Sequence, residues 1–360
     1  MAPPPQKPPR PASKTENPGS VALDQWRGLA LVLVLVAHAL HESHYVDGLG
    51  RVGVNLFFFI SGILVFRSIS HGSQTPVWQA ISRFWHRRLR RLYPALLAYV
   101  ATIMVAHYWL QRLPGPPSTW DFNYCLRCVP AVLLYLGNYS PSIFTPSIPP
   151  PLGHLWSLAC EMQFYLIAPL FFFLGGKTTL QRNIVFGALL FILLFLGAGE
   201  PFLVAKPFSS VKYHFEFAVW PMMLGFWCEF KKDTITRISI RWLKIAFWVF
   251  LTLGLACFAI MLAGSSMKGP TVAAGGFLLI PCLLAYLMGW PILSKPGTVL
   301  RWLGERTYSI YLWQQPFTIC YYLPVVWWPA GAALSVLIGG LWFHWFERPF
   351  LSDNRKKHAA

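Results

Sequence analysis

The sequence has 360 residues, of which 55% are hydrophobic and only 12% are charged, and it contains 28 Phe and 17 Trp. Apolar runs of about 20 residues, enough to cross a bilayer, recur along most of it. This composition excludes an ordinary soluble domain and predicts an all-α, polytopic membrane helical bundle in contact with lipid. The net charge of +17 is divided among short loops, so we expect no nucleic-acid partner.

The chain begins with a Pro-rich segment whose apolar content is too low to pack, which predicts a disordered tail over residues 1–21. The first apolar run lacks a small-residue cleavage site and is followed at once by a second run, which argues against a cleaved signal peptide. We therefore predict one transmembrane domain over residues 22–350 and a basic tail over 351–360.

Ten apolar runs predict membrane spans, and the short segment 130–139 is a candidate half-helix. The predicted spans are 23–41, 52–69, 93–111, 155–175, 184–204, 216–230, 245–264, 271–290, 307–326 and 330–347. With alternating directions, 24 of the 30 Lys and Arg residues flank the spans on one face and 6 on the other. Because basic residues accumulate in cytoplasmic loops, we expect a multi-pass protein of the cell membrane with both termini in the cytoplasm.

The first span carries polar side chains that are costly at membrane depth. Asp24 and Arg27 are one turn apart and can pair, whereas His38 ends an apolar run that begins after Arg27. Arg27 and His38 are separated by about three turns, or roughly 16 Å along the axis, on one helix face. We expect both to face one cavity; the alternative is an interfacial ion pair and a packing histidine.

The second span contains "FFFISG" at 57–62, in which Gly62 predicts a close contact with another helix. Ser61 beside it either hydrogen-bonds its own helix or acts as a nucleophile. The next segment, "SRFWHRRLRRLYP" at 82–94, is either a positive-inside anchor or a surface that binds the phosphates of a nucleotide. Its candidate phosphate-binding residues are Arg87, Arg88, Arg90 and Arg91.

A third informative stretch, "GHLWSLACEMQFYLIAPLF" at 153–171, brings Trp156, Ser157 and Glu161 into a predicted span. A carboxylate at that depth needs a partner or a proton, so Glu161 is either catalytic or part of a buried ion pair. Cys125 and Cys128 have a C-x-x-C spacing in a predicted external loop, where pairing stays open, but no second pair completes a zinc site. We expect no metal.

Four segments in chain order resemble the acyltransferase-3 family of membrane acyltransferases, which acylate bacterial surface polysaccharides and related acceptors. The segments are "LDQWRGLALVLVLVAH", "FFFISG", "RRLRRLYP" and "LWSLACEMQFYLIAPL", with weaker matches in "ERTYSIYLWQQPF" and "FERPF". The resemblance covers about residues 22–350. It implies acyl-CoA, most simply acetyl-CoA, as a co-substrate, no resident cofactor, and a carbohydrate or glycoconjugate acceptor.

The resemblance also implies roles for individual residues. Arg27 and His38 match the essential pair of the first helix, and Arg87 and Arg90, or their neighbours, match the arginines that face acyl-CoA. The other matched residues are Phe58, Ser61 and Gly62 in the second span and Trp156, Ser157 and Glu161 in the third block. Of these, Ser61 and Glu161 are candidate catalytic residues, and Phe58, Gly62, Trp156 and Ser157, together with Asp24, are candidate substrate- or donor-binding residues. Many members have a histidine after "YLW", where this chain has Gln314, so we assign Gln314 no catalytic role. Some members append an extracytoplasmic hydrolase-like domain, which we expect this chain to lack.

Acyl transfer to a hydroxyl requires a base for the hydroxyl proton and donors for the oxyanion. We expect His38 to be the base, Glu161 to orient it or the acceptor, and Arg27 to stabilise the oxyanion or bind the donor. Direct transfer and a route through an acyl-enzyme on Ser61 both stay open. The rival hypothesis is a proton-coupled transporter or exporter of a lipid or sugar, in which His38 and Glu161 relay protons.

Overall fold

A computed structural model describes residues 17–40, 47–71, 75–112, 122–140, 148–203, 213–263, 268–290, 298–318 and 328–350. All regular secondary structure in these ranges is helical, which confirms the predicted all-α class. The helices of seven or more residues are α1 Pro18–Ala39, α2 Asp47–Ser70, α3 Val77–Leu110, α4 Phe122–Leu133, α5 Trp156–Leu174, α6 Thr179–Leu203, α7 Trp220–Phe230, α8 Ile240–Leu262, α9 Lys268–Met288, α10 Val299–Glu305, α11 Thr307–Thr318 and α12 Trp328–Trp342.

Seven helical segments among the described residues are long and apolar enough to cross a membrane. They lie in α1, α2, α3, α5, α6, α8 and the segment from α12 to Phe350. The other three predicted spans coincide with α7, α9 and α11. Since α11 ends where residues 319–327 leave the described part of the chain, the total of ten spans stays a prediction.

The first helix begins at Pro18, four residues before the predicted start of the transmembrane domain at residue 22. The side chain of Asn17 accepts a hydrogen bond from the backbone N–H of Gly19 at 3.0 Å, and Pro18 occupies the first helical position. Both features favour a helix start because they satisfy or remove N–H groups that have no partner inside the helix. Residues 1–16 of the predicted tail lie outside the described residues.

Helix α1 is held against α10 by two glycines that allow the backbones to touch. A β-carbon on Gly28 would lie 1.9 Å from the carbonyl oxygen of Leu300, and one on Gly304 would lie 1.8 Å from that of Asp24. The side-chain amide of Gln25 also donates to the hydroxyl of Thr298, the N-cap of α10, at 3.1 Å. This contact fixes the position of the end of α1 that carries Asp24 and Arg27.

A second glycine crossing joins α2 to α7. A β-carbon on Gly62 would lie 1.9 Å from the carbonyl oxygen of Met222, and one on Gly225 would lie 2.0 Å from that of Phe59. The close helix contact predicted at Gly62 is therefore confirmed. Ser61, the residue before Gly62, contacts Glu161 on α5.

The basic segment and the third predicted span form one continuous helix, α3, which has Pro94 in its interior. The segment that holds Cys125 and Cys128 was expected to be a loop, but it is helix α4. Both cysteines are buried free thiols one helical turn apart. The predicted half-helix at 130–139 is the end of α4 followed by a short 3-10 turn at Gly137–Tyr139.

Candidate active site

Glu161 on α5 is the centre of a hydrogen-bond network inside the bundle. Its Oε1 atom accepts a hydrogen bond from the hydroxyl of Ser61 on α2 at 2.5 Å. The same oxygen accepts a hydrogen bond from the hydroxyl of Tyr165, one turn further along α5. Two hydroxyl donors satisfy this oxygen of the half-buried carboxylate, so the network keeps Ser61 and Glu161 in contact.

Ser61 and Glu161 lie in a cavity that we call the arginine cavity, because three arginine side chains line it. Its lining residues are Arg27, Val54, Phe57, Phe58, Ser61, Leu64, Arg88, Arg91, Leu92, Ser157, Leu158, Glu161, Tyr165, Thr307, Tyr308 and Tyr311. Arg27 pairs with Asp24 at 3.8 Å, as the spacing predicted. The cavity thus combines a hydroxyl, a carboxylate and three permanent positive charges.

Two of these arginines are held by specific neighbours. The guanidinium of Arg88 lies over the rings of Tyr165 and Phe84, at 4.9 and 5.4 Å from their centroids. Arg91 donates to Glu347 at 3.0 Å, and the other oxygen of Glu347 accepts from Ser309 at 2.9 Å. Fixed guanidiniums of this kind bind phosphate or carboxylate oxygens with little reorganisation.

Arg87 and Arg90, the arginines chosen from the resemblance, lie on the exposed face of α3. Arg88 and Arg91 lie on the face that lines the cavity, with Leu92 beside them. The geometry therefore brings Arg88 and Arg91, the neighbours of Arg87 and Arg90, to the cavity. The helix phase of α3 decides this outcome, since residues three apart share a face.

His38 lies in a second cavity of about 280 Å³, which we call the histidine cavity. Its lining residues are Val34, Ala37, His38, Gly50, Arg51, Val54, Asn55, Phe58, Trp156, Tyr213, Phe217, Ala218, Trp220 and Tyr311. Several of them are aromatic, and the rings of Trp156 and Tyr213 approach to 4.7 Å between centroids. Such surfaces, with a few polar groups among them, are typical of small-molecule sites.

The two cavities adjoin and have three lining residues in common, Val54, Phe58 and Tyr311. We call these three side chains the shared wall. Arg27 and His38 were expected to face one cavity, but each faces its own, with the shared wall between. The reason is that Val54 and Phe58 of α2 and Tyr311 of α11 lie between Arg27 and His38, which their spacing along α1 alone does not reveal.

Tyr311 in the shared wall is fixed by two polar contacts. Its hydroxyl donates to the backbone carbonyl of His154 at 2.9 Å and is 2.6 Å from the hydroxyl of Ser157. Phe58 packs edge-on against Trp156, with 6.2 Å between ring centroids. These contacts bring the third sequence block, 153–171, to both cavities.

A hydrogen bond from a neighbouring helix fixes the orientation of His38. Its Nδ1 atom is 3.1 Å from the side-chain oxygen of Gln314, which is fully buried on α11. This hydrogen bond therefore joins the C-terminal end of α1 to the segment "YLWQQPF" of α11.

A model of an acyltransferase domain family matches residues 20–346, nearly the whole described bundle. The chain belongs to the acyltransferase-3 family. It is 27% identical to the peptidoglycan O-acetyltransferase OatA of Listeria monocytogenes, over 82% of this chain and 49% of that protein. It is 26% identical to the O-acetyltransferase OatA of Staphylococcus aureus, over 94% of this chain and 58% of that protein.

A third relative is the putative peptidoglycan O-acetyltransferase YrhL of Bacillus subtilis, 26% identical over 91% of this chain and 54% of that protein. The chain thus spans about half the length of the curated relatives it matches. No solved structure matches it.

In this member of the acyltransferase-3 family, most residues selected from the sequence meet at the two cavities. Those that line a cavity are Arg27, His38, Phe58, Ser61, Arg88, Arg91, Trp156, Ser157 and Glu161. Asp24 contacts Arg27 from outside the linings, and Gly62 packs against Met222 instead of facing either cavity. Gly62 therefore positions a helix, which differs from the binding role implied by the resemblance.

Sequence reasoning missed three side chains of the site, Tyr165, Tyr311 and Glu347. The spacing of Glu161 and Tyr165 was a usable signal, because residues four apart share a helix face. Glu347 lies in the segment "FERPF", which was noted only as a weaker match. The contact of Tyr311 with Ser157 joins positions 154 residues apart, and no local pattern predicts it.

Proposed function

We propose that this protein is an integral membrane O-acyltransferase that moves an acyl group, most simply acetyl, from acyl-CoA to a hydroxyl of a carbohydrate or glycoconjugate. The observation that carries the proposal is the pair of adjoining cavities. One holds cationic side chains beside a hydroxyl–carboxylate pair, and the other holds a histidine among aromatic side chains. The names of the relatives, O-acetyltransferases of peptidoglycan among them, make a glycan hydroxyl the first acceptor to test.

The donor binds in the arginine cavity. Acyl-CoA carries several phosphate charges, and Arg88 and Arg91 supply planar guanidiniums that match phosphate geometry. Arg87 and Arg90 extend the same positive surface along the exposed face of α3. With the N-terminus in the cytoplasm, as the positive-inside rule favours, this surface meets the cytoplasmic pool of acyl-CoA.

The contact of Ser61 with Glu161 favours the route through an acyl-enzyme. Glu161 is placed to take the proton of the Ser61 hydroxyl while the Ser61 oxygen attacks the thioester carbonyl. The C–O bond of an acyl-serine forms, the C–S bond breaks, and the CoA thiolate leaves with the proton from Glu161. Arg27, in the same cavity, stabilises the negative charge on the carbonyl oxygen.

The acceptor binds in the histidine cavity. His38 takes the proton of the acceptor hydroxyl, whose oxygen attacks the carbonyl carbon of the acyl-serine at the shared wall. The bond between that carbon and the Ser61 oxygen breaks, and the Ser61 oxygen regains a proton that His38 gives up through the Tyr311 and Ser157 hydroxyls. The aromatic side chains Trp156 and Tyr213 offer ring faces to the apolar faces of a sugar. Two observations weigh against the rival transporter hypothesis. The chain belongs to a family of acyltransferases, and a transporter has no need of a nucleophile and a base in contact, as Ser61 and Glu161 are.

The test uses purified protein in lipid nanodiscs with acetyl-CoA and soluble peptidoglycan fragments. Free CoA and acetylated glycan are both quantified by chromatography. We expect transfer by the wild type and a loss of roughly 100-fold or more in His38→Ala, the size of a lost general base. His107→Ala is the matched control, because His107 is a buried histidine on α3 that lines neither cavity. Full transfer by correctly folded His38→Ala would contradict the assignment.

A further inference from the structure

Gln314, which contacts His38, has no role in the function proposed above. Gln314 is fully buried on α11, and its side-chain oxygen is 3.1 Å from Nδ1 of His38. Its backbone oxygen accepts hydrogen bonds from Thr318 at 2.8 Å and Ser335 at 3.4 Å, which fix this turn of the helix. These bonds fix the backbone of Gln314, and full burial keeps its side chain beside the imidazole, while the amide nitrogen has no hydrogen-bond partner among the described residues.

We propose that Gln314 is a positioning residue that holds His38 in the tautomer with the proton on Nδ1. An amide oxygen only accepts hydrogen bonds, so Nδ1 must be the donor in this contact. The neutral ring then presents the lone pair of Nε2, the atom that can accept a proton. This inference rests on the proposed function, since it matters only if His38 acts as a base.

The tautomer matters because a base with its proton on the wrong nitrogen cannot accept another there. If the amide were reversed, its NH2 group would donate to Nδ1, and Nε2 would carry the proton. His38 would then present a donor to the cavity. A buried side-chain amide thus does here what a backbone carbonyl or a carboxylate does for other catalytic histidines.

Other titratable groups near His38 come from several elements. Among the described residues, Arg51 on α2, Tyr213 and Tyr311 line the same cavity, and His154 is within electrostatic range of His38. The second glutamine of the segment, Gln315, contacts His154 in the same way, at 3.0 Å from its Nδ1 atom. The chain therefore contains two neighbouring glutamine–histidine pairs, of which one faces the histidine cavity.

The first test reads the tautomer without any substrate. Nitrogen NMR of histidine-labelled protein in nanodiscs distinguishes Nδ1–H from Nε2–H imidazole, and the His38 signals are identified by their loss in His38→Asn. We expect Nδ1–H in the wild type and a mixture of tautomers in Gln314→Met. A wild-type ring with its proton on Nε2 would overturn the proposal, whether or not the protein transfers acyl groups.

The second test separates positioning from simple structural support. Gln314→Met should lower kcat by about 10- to 100-fold with little change in KM for the donor, a part of what a general base contributes. Gln314→Glu keeps the acceptor but adds a charge that stabilises the imidazolium, so the rising limb of the pH–rate profile should move to higher pH. Gln315→Met is the matched control and should leave the position of that limb unchanged.

Each outcome has a distinct meaning. Absence of acyl transfer in the wild type would contradict the proposed function and leave the tautomer result standing. Active Gln314→Met with an unchanged tautomer and an unchanged profile would contradict the positioning role and leave the proposed function standing. A shift of the limb in both Gln314→Glu and Gln315→Met would show a general effect of the helix, and would also overturn it.

Discussion

At the scale of single residues, the site depends on one carboxylate oxygen that accepts two hydroxyl hydrogen bonds. Tyr165 lies four positions after Glu161 and was accessible to sequence reasoning through helix periodicity. Ser61 is 100 positions away, and only the packing of α2 against α5 brings it into contact. Sequence analysis selected Ser61 and Glu161 as candidates because polar groups are rare in apolar runs, but it did not predict that the two are in contact.

The acyl-enzyme route predicts a covalent product on Ser61. Wild-type protein incubated with acetyl-CoA and no acceptor should gain one acetyl group at Ser61, detected by peptide mass spectrometry. Ser61→Ala should gain none at this position; among the residues that the structure describes, the only other hydroxyl bonded to Glu161 is that of Tyr165. Tyr165→Phe is the companion variant and should still be labelled.

If glycan acetylation proceeds at the wild-type rate in Ser61→Ala, transfer is direct and Ser61 only satisfies the hydrogen bonds of Glu161. Labelling of Tyr165 in place of Ser61 would identify the tyrosine as the nucleophile and would also contradict the assignment.

The arginines of α3 predict a graded effect on donor binding. Arg88→Ala should weaken acetyl-CoA binding about 10-fold or more, because a guanidinium that lines the cavity is partly desolvated there. Arg87→Ala, on the exposed face, should have a smaller effect that disappears at high salt, where exposed charges are screened. Isothermal calorimetry at two ionic strengths measures both. Equal effects for the two variants would show that the cavity does not select the donor.

At the scale of helices, two glycine crossings fix α10 against α1 and α7 against α2, and sequence analysis predicted only one of them. Gly62 stood out because a serine and an aromatic run lie beside it. Gly28 directly follows Arg27 and Gly225 lies in a run of large apolar residues, and neither carries such a signal. Their partners are backbone oxygens on distant helices, which a pattern along one helix cannot reveal.

The α2–α7 crossing predicts that Gly225→Ala is strongly destabilising. The added methyl group would lie 2.0 Å from the carbonyl oxygen of Phe59, so the helices must separate, at a cost of about 1–3 kcal/mol or more. Gly187→Ala on α6 is the control, because a β-carbon there meets no atom within 4 Å. Thermal unfolding in detergent should show a lower midpoint for the first variant alone. Equal midpoints would mean that the crossing tolerates the methyl group.

The link between α3 and the end of the described chain predicts a second stability difference. Glu347 is fully buried, and its replacement by Gln leaves the charge of Arg91 without a counter-ion, at a cost of about 3–5 kcal/mol. Glu305→Gln removes a carboxylate from a more exposed pair with Arg301 and should cost less than about 1 kcal/mol. Urea unfolding in mixed micelles compares the two. A Glu347→Gln protein as stable as Glu305→Gln would show that Arg91 finds another partner.

At the scale of the whole molecule, composition and span length sufficed for the fold class, and the order of helices followed from the apolar runs. The existence of two cavities did not follow. The 11-residue spacing of Arg27 and His38 correctly placed them on one face, but Phe58 and Tyr311, from two other helices, divide the space in front of that face. Helix phase is a local property, whereas the division of an interior depends on every helix around it.

The basic asymmetry predicts the orientation of the bundle. Asp233→Cys, between α7 and α8, should react with a membrane-impermeant maleimide only after cells are permeabilised, since five basic residues lie in 231–244, in that connection and the first turns of α8. Arg127→Cys, on α4, should react in intact cells. Both variants are made in a background without the seven native cysteines. The reverse pattern of labelling would show that the protein has the opposite orientation, with donor binding on the opposite side of the membrane.

The shared wall has a consequence for the energetics of the cell. Under the proposed function, the acyl group passes the wall as a neutral fragment, while the CoA thiolate takes up its proton on the donor side. The hydroxyl proton is taken up at His38, on the acceptor side. Val54 and Phe58 offer it no polar path, but the hydroxyl of Tyr311, the third side chain of the wall, is 2.6 Å from that of Ser157 in the arginine cavity. This contact offers the proton a route back to the Ser61 oxygen, so that each turnover moves no net charge across the membrane. An uncoupler should therefore leave the rate in sealed vesicles unchanged, whereas a turnover that exported one proton would be opposed by about 2.3 kcal/mol per 100 mV of membrane potential.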